Sequence, residues 1–113
     1  MKEIVAIIQP FMLRKVMDAL HGLPHFPGVT VSDVRGQGRG RGAGGAFKIT
    51  EDSIDYHVKV KLEIYCAAEH ADDIAEALQK AAHTGKVGDG VVVLSDLERV
   101  VRIRTGETQD KAV

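Results

Sequence analysis

The run Val58-Lys-Val-Lys-Leu-Glu-Ile-Tyr-Cys66 alternates apolar and polar residues with a period of two. Such alternation predicts a β-strand with one face turned towards the core and the other turned outward. Cys66 falls on the inward face, which predicts an inert, buried thiol. The outward face carries Lys59, Lys61 and Glu63, so this side of the predicted sheet must meet solvent or other subunits.

The sequence on both sides of this strand contains short β-branched runs typical of further strands and two stretches with apolar residues at helical spacing. Short β-branched runs that predict strands are Lys2 to Gln9, Val29 to Arg35, Val91 to Leu94 and, as a short extra strand, Val100 to Arg104. Apolar residues recur at helical spacing at Leu13, Val16, Met17 and Leu20, and again at Ile74, Ala77, Leu78 and Ala81. The order strand–helix–strand, long connection, strand–helix–strand predicts an α+β fold. This fold is a ferredoxin-like βαββαβ sandwich, with a four-stranded antiparallel sheet and two helices on one face.

Length and charge limit the class of protein. The 113 residues suffice for a single domain, 1–113, with one core. With a net charge of -1 the protein has no overall positive potential that would attract nucleic acid. The local cluster of Arg35, Arg39 and Arg41 suits a small anion better. The single cysteine excludes a disulfide framework and the N-terminus lacks a signal-peptide pattern, so we expect a cytoplasmic protein. With only 4% aromatic residues the core is modest, which makes oligomerisation a reasonable source of stability.

The stretch Thr84-Gly85-Lys86-Val87-Gly88-Asp89-Gly90, here called the glycine loop, follows the second predicted helix. Glycine lets backbone N–H groups approach a ligand closely, and successive N–H groups form a concave anion site. Arg102 and Arg104 follow downstream, and arginine supplies a permanently charged fork for phosphate oxygens. A helix C-cap followed by a turn would explain Gly85 alone, so the whole pattern favours a phosphate site.

The connection from Gly36 to His57 is unusually long and rich in glycine. Residues Gly40 to Gly45 fit the G-x-G-x-x-G fingerprint of dinucleotide-binding folds, but no amphipathic helix follows them, so that interpretation is rejected. Two interpretations stay open. One is a flexible hairpin extension without a ligand, and the other is a mobile loop that changes shape when something binds at its base.

Catalysis and metal binding are the competing classes of function. Lys86, Asp89 and His83 resemble a hydrolytic set, but the glycine loop lacks the Gly-Lys-Ser/Thr ending that holds Mg²⁺ in P-loop enzymes. We therefore predict that the protein is not an enzyme and that any slow ATP hydrolysis is incidental. His21 and His25 are four residues apart, but Gly22 and Pro24 break any helix that would place them on one face. The other three histidines show no ligand spacing with one another or with Cys66, so we predict no metal site within one chain, and a site assembled across subunits stays open. A scaffold without a ligand leaves both basic clusters unexplained.

Five blocks of sequence, in order, resemble the PII family of nitrogen-regulatory signal-transduction proteins. These blocks are Ala6 to Phe11, Gly36 to Arg39, Lys59 to Ile64, Thr84 to Gly90 and Arg99 to Glu107. The resemblance covers nearly the whole chain. Several blocks in the right order are far more specific than any one glycine motif.

The resemblance implies a homotrimer with three adenine-nucleotide sites in the clefts between subunits. The implied ligands are ATP, ADP or AMP, with Mg²⁺ accompanying ATP. Adenine would contact Ile7, Glu63 and Tyr65. The remaining implied nucleotide-binding residues are Gly36, Gln37, Gly38 and Arg39, then Thr84, Gly85, Lys86, Val87, Gly88, Asp89 and Gly90, and finally Arg102 and Arg104. Lys59 would bind the carboxylate of an effector such as 2-oxoglutarate.

The resemblance also divides the domain into segments. Residues 37–57 would be the T-loop, 84–91 the B-loop, and 99–113 a C-terminal strand and tail. The T-loop would dock onto a target protein, either a membrane transporter or an enzyme. Docking onto a transporter would recruit the protein to the membrane.

The chain departs from the family pattern in these loops. Gln37 replaces a phenylalanine, and Gly40 replaces a glutamine whose side chain helps bind Mg²⁺ and 2-oxoglutarate. Val91 replaces a phosphate-binding lysine. Asp52 stands where many members carry a uridylylated tyrosine, and Thr50 where a serine is commonly phosphorylated. We therefore expect weak or absent 2-oxoglutarate binding, a narrowed preference for ATP over ADP, and no uridylylation.

Members that lack this tyrosine occur near heavy-metal efflux systems, and other branches are linked to bicarbonate. A sensor linked to heavy-metal efflux or to bicarbonate is therefore the alternative function that the resemblance leaves open.

Overall fold

The computed structural model describes residues 1–38 and 56–113. These residues form four strands and two α-helices in the order β1 (Lys2–Ile8), α1 (Leu13–His21), β2 (Thr30–Gly36), β3 (His57–Cys66), α2 (Ala68–Ala82) and β4 (Gly90–Asp96). Short 3-10 helices lie at Pro10–Met12, where proline begins the turn that leads into α1, and at Gln109–Ala112. None of the helices in these two ranges is long and apolar enough to cross a bilayer.

The four strands form one antiparallel sheet in the order β2-β3-β1-β4. The alternating strand, β3, therefore lies in the interior of the sheet, beside β1, and β2 and β4 are the edges. In the pairing of β1 with β3, Ile8 lies opposite Val60, and in the pairing of β1 with β4 it lies opposite Gly90. This topology confirms the predicted ferredoxin-like sandwich.

The hydrophobic core lies between the sheet and the two helices. Its fully buried members are Ile4, Ala6 and Ile8 from β1, Leu62, Ile64 and Cys66 from β3, Val16 and Leu20 from α1, and Ile74 and Leu78 from α2. Both helices thus cover the same face of the sheet, as the order of the strands and helices predicted. Cys66 is 1% exposed, and its burial raises the pKa of the thiol, which confirms the predicted inert core cysteine.

The other face of the sheet, here called the open face, carries no helix in the described part of the chain. Register places Ile7 opposite both Lys61 and Val91, and Val5 opposite both Glu63 and Val93. Val91 is 57% exposed and Val93 is 51% exposed. The open face therefore presents an apolar centre beside a row of charged groups on β3.

The predicted strand from Val100 to Arg104 is wrong. Residues 100–108, here called the basic segment, form a turn in which Val101 makes only an isolated bridge with Thr108. The N–H of Arg102 donates to the Glu107 carbonyl at 2.8 Å, and the N–H of Gly106 donates back to the Arg102 carbonyl at 2.8 Å. Alternation predicts a strand only where a neighbouring strand is available for pairing, and here the chain pairs with itself, leaving Ile103 100% exposed.

Candidate functional site

The conformation of the glycine loop depends on glycine at two positions where the chain meets the sheet. Gly90 begins β4 with φ +103°, and a Cβ there would lie 1.7 Å from the backbone oxygen of Ile7. Gly88 has φ +98°, and a Cβ there would lie 2.8 Å from Nε2 of Gln9. At Gly90 the neighbour is backbone that cannot move aside, so glycine is required where the loop enters β4. At Gly88 the neighbour is the end of a flexible side chain, and it is the left-handed backbone that favours glycine.

Asp89 holds the first half of the glycine loop in shape. Its Oδ2 accepts the backbone N–H of Thr84 at 2.7 Å and that of Gly85 at 2.9 Å. The Thr84 hydroxyl donates to the other carboxylate oxygen, Oδ1, and accepts the N–H of Lys86 at 3.2 Å. The hydrogen bond from the Thr84 hydroxyl, supported by the backbone N–H groups, holds the pKa of Asp89 below its ordinary value of 3.8.

This arrangement uses donors that the sequence assigned to phosphate. The N–H groups of Thr84 and Gly85 already bind the carboxylate of Asp89, which acts as an internal anion. Lys86 keeps its ammonium in solvent, where no ion pair engages it among the described residues. The roles of these residues towards a nucleotide stay predictions.

Lys59 connects the second half of the glycine loop to the sheet. Its ammonium donates to the Gly88 carbonyl at 2.7 Å, which joins β3 to a residue 29 positions later in the chain. Gly88 sits against two side chains at once, because a Cβ there would meet Nζ of Lys59 at 3.4 Å as well as Gln9. The residue predicted to bind a carboxylate effector therefore already binds the loop.

A cleft of about 320 Å³ lies beside the glycine loop, between the end of α2 and the start of β4. Ile7, Gln79, His83, Asp89 and Gly90 are among the residues that line it. Nδ1 of His83 lies 3.8 Å from Oδ2 of Asp89. Because β4 is an edge strand, this cleft is accessible from the side of the sheet.

The predicted adenine contacts lie on the open face, on β1 and β3. The Tyr65 hydroxyl donates to Oε2 of Glu63 at 3.3 Å, and Lys61 lies 3.7 Å from Oε1 of the same carboxylate. Partial desolvation, with the nearby charge of Glu63, raises the pKa of the Tyr65 hydroxyl. Ile7 lies opposite Lys61 and Tyr65 lies opposite Glu3, so all three predicted contacts share the open face. Ile7 and Tyr65 are, however, about 13 Å apart along the strands.

Arg102 and Arg104 lie apart from the glycine loop in the chain. The glycine loop ends at Gly90, the first residue of β4, and the basic segment follows the last residue of β4, Asp96. Seven strand residues separate these ends by about 20 Å. No hydrogen bond or ion pair joins either arginine to the loop within the described ranges.

Part of the predicted site lies outside the described residues. Arg39 and most of the predicted T-loop, with Gly40, Thr50 and Asp52, belong to this part. The ends of the connection are described: Gly36 pairs with His57 at the base of the β2–β3 hairpin, and Gln37 and Gly38 follow β2 as exposed residues.

Two features of the structure were missed from the sequence. Gln9 contacts the glycine loop, although its only signal in the sequence is its place in the block from Ala6 to Phe11 that resembles the PII family. The imidazole rings of His25 and His70 stack with their centroids 4.5 Å apart, although the residues are far apart in sequence.

Fold and site together define a small α+β domain with a structured glycine loop at the edge of an uncovered sheet. A family model described as nitrogen regulatory protein P-II matches residues 1–107, and the chain belongs to this family. The resemblance of the sequence to the PII family is thereby confirmed.

Relatives of similar length match the chain from end to end. It is 43% identical over 113 residues to the nitrogen regulatory protein P-II of Pasteurella multocida (strain Pm70), covering 100% of both chains. It is 39% identical over 113 residues to the nitrogen regulatory protein GlnK of Escherichia coli (strain K12), again covering 100% of both. A P-II protein of Rhizobium meliloti (strain 1021) is 44% identical over 108 residues, 96% of each chain. The chain is accordingly a signal-transduction regulator, and these relatives are named as regulators rather than enzymes.

Proposed function

We propose that the protein is a homotrimeric sensor of adenine nucleotides, with one binding site in each cleft between subunits. The observation that carries this proposal is the glycine loop fixed at the edge of an open sheet face. Ile7, Glu63 and Tyr65 share that face, and Lys59 ties the face to the loop. A flat purine ring and a phosphate chain need an apolar surface beside a set of N–H and cationic donors, and these two neighbouring regions match that need.

The proposed trimer accounts for two features of the single chain: apolar side chains exposed on the open face, and phosphate-binding groups that lie far apart. Val91 and Val93 are more than half exposed on the open face, so closing the sheets of several copies around an axis removes apolar area from water. The glycine loop and the arginines are attached to opposite ends of β4. In the proposed trimer, a neighbouring copy supplies the groups that one chain cannot bring to the same phosphate chain.

The groups that would bind phosphate are those that make no side-chain hydrogen bond or ion pair within residues 1–38 and 56–113. Lys86, Arg102 and Arg104 have exposed side chains, and the arginines offer planar forks for phosphate oxygens. Asp89 would serve as the residue that shapes the loop, because its carboxylate would repel a phosphate placed against it. ATP, ADP and AMP are the proposed ligands, with Mg²⁺ accompanying ATP.

The proposed output is control of a target protein by the T-loop, residues 37–57. A nucleotide bound near Gly36 and His57, where the connection begins and ends, would select the loop shape that docks. The proposed target is a membrane transporter or an enzyme, and the regulator itself works in the cytoplasm.

Calorimetry with ATP, ADP and AMP tests this function on protein whose mass is measured by light scattering. We expect a trimer and saturable heat from at least one of the three nucleotides. GTP is the matched control, since it carries the same phosphates on a different base. A monodisperse trimer that gives no heat with any adenine nucleotide would contradict the proposed ligand, and a monomer at all concentrations would contradict the proposed site.

A further inference from the structure

We infer that Lys59 is a positioning residue that fixes the orientation of the Gly88–Asp89 peptide in the glycine loop. This inference rests on the proposed function for its effect on nucleotide binding. The contact itself is independent of any ligand: Nζ of Lys59 donates to the Gly88 carbonyl at 2.7 Å. A charged donor at this distance makes one of the stronger kinds of hydrogen bond.

The peptide that Lys59 holds has glycine on its N-terminal side, which leaves one of its two flanking dihedral angles loosely restrained. Gly88 has φ +98° and, without a Cβ, tolerates a wide range of ψ, the angle on the Gly88 side of the Gly88–Asp89 peptide. Rotation of this peptide changes that ψ together with φ of Asp89, so a hydrogen bond to the Gly88 carbonyl restrains the angle that glycine leaves free. Asp89 cannot prevent this rotation alone, because its hydrogen bonds to Thr84 and Gly85 are made by its side chain.

The orientation matters because a trans peptide is planar. Its carbonyl and the following N–H point to opposite sides, so a Gly88 carbonyl directed at Lys59 directs the Asp89 N–H away from Lys59. That N–H is one of the loop donors not taken by the Asp89 carboxylate. Lys59 therefore selects which side of the loop offers a backbone donor to a phosphate oxygen.

Two side chains border the contact. Gly88 lies against both Gln9 and Lys59, so the loop cannot move closer to the sheet without displacing one of them. Lys59 sits on β3, in the interior of the sheet, opposite Val34 of β2. An ammonium has three donors and the Gly88 carbonyl uses one, so Lys59 can hold the loop while a carboxylate takes another.

Two measurements on Lys59→Met test the inference, and Lys80→Met is the matched control. Lys80 also makes a 2.7 Å contact, to Glu76 on the exposed surface of α2, and lies outside the proposed site. Without nucleotide, we expect hydrogen exchange of the Gly90 amide, which follows the held peptide and pairs with Ile8 of β1, to rise about tenfold in Lys59→Met and to stay unchanged in the control. With ATP, we expect about three- to tenfold weaker binding by calorimetry for Lys59→Met alone.

The outcomes separate this inference from the proposed function. Unchanged loop exchange in Lys59→Met would overturn it, and so would weaker ATP binding with unchanged exchange, because Lys59 would then contact the nucleotide directly. If the wild-type protein binds no adenine nucleotide, the proposed function fails, while the exchange measurement still decides the role of Lys59.

A measurement on the unmodified protein covers the case in which Lys59→Met does not fold. The ammonium of Lys59 should show a scalar coupling across its hydrogen bond to the Gly88 carbonyl carbon by NMR. Absence of this coupling, with Lys59 exchanging as fast as Lys80, would also overturn the inference.

Discussion

The glycine loop and the basic segment were both predicted as phosphate-binding elements, yet the chain builds them in different ways. The loop is fixed by Asp89 from within and by Lys59 from the sheet. The basic segment closes on itself through Arg102 and Glu107, and its arginines extend into solvent. The glycine loop is thus fixed by internal contacts while the basic segment leaves its charged side chains exposed, so substitutions in the two regions should have separable effects on stability and on the proposed binding.

The largest expected effect is the loss of stability in Gly90→Ala. The new Cβ would lie 1.7 Å from the Ile7 backbone oxygen in a residue with φ +103°, so strand and loop must both move. We expect the free energy of unfolding to fall by at least about 3 kcal/mol in urea denaturation at a fixed protein concentration.

Gly106→Ala is the matched control, taken from the basic segment. Gly106 has φ +73° but nothing within 4 Å of an added Cβ, so only the backbone cost of about 1–2 kcal/mol applies. Equal losses in the two variants would show that the loop is not restricted by the sheet as the distances indicate.

The next effect is on binding rather than on stability. Arg102→Ala or Arg104→Ala should weaken ATP binding by about 1.5–3 kcal/mol if each arginine makes a charge-assisted phosphate contact. The free energy of unfolding should change by less than about 0.5 kcal/mol, because both side chains are exposed. Arg14→Ala, an exposed arginine on α1, controls for the loss of charge. Wild-type affinity in both variants would remove the arginines from the proposed site.

Asp89 provides a smaller effect that depends on pH. The folded protein lowers the pKa of this carboxyl below its ordinary value of 3.8, so the ionised form is favoured by folding. Its contribution to stability is therefore present above the unfolded pKa and is lost as pH falls through the lower, folded pKa. Asp89→Asn removes the titrating group, so the stability difference between wild type and variant should shrink as pH falls below 3.8. A difference that stays constant across this range would contradict the role of the charge.

The smallest expected effect is the heat released when 2-oxoglutarate is titrated into protein saturated with Mg²⁺–ATP. Gly40 offers no side-chain oxygen, so water must complete the near-octahedral shell of Mg²⁺, and Val91 removes a phosphate-binding lysine. Lys59 acts in the opposite direction, since it still offers a charge to a carboxylate, but one retained contact stands against two losses. We expect little or no heat on titration, with Gly40→Gln strengthening the binding. ATP-dependent binding as tight as that of ATP itself would overturn this expectation.

The sequence predicts the sheet and its core well because burial dictates a local pattern. The alternation of β3 separates the buried Leu62 from the outward Lys61, and the same logic placed Cys66 in the core. The alternation in the basic segment wrongly predicted a strand, because a strand also needs a partner strand and alternation does not reveal one. The contact of Lys59 with Gly88 could not be predicted either, since it depends on how β3 and the start of β4 lie on either side of β1.

The Asp89 carboxylate, bound inside the glycine loop, has a consequence for the rate at which a nucleotide would associate with the proposed site. Because Asp89 already occupies the Thr84 and Gly85 N–H groups, this half of the loop keeps its curvature when the site is empty. A ligand then meets a surface that requires little folding on arrival, so less conformational entropy is lost at the moment of contact. Association should therefore be limited by diffusional encounter rather than by loop ordering, and differences among nucleotides should appear mainly in their dissociation rates.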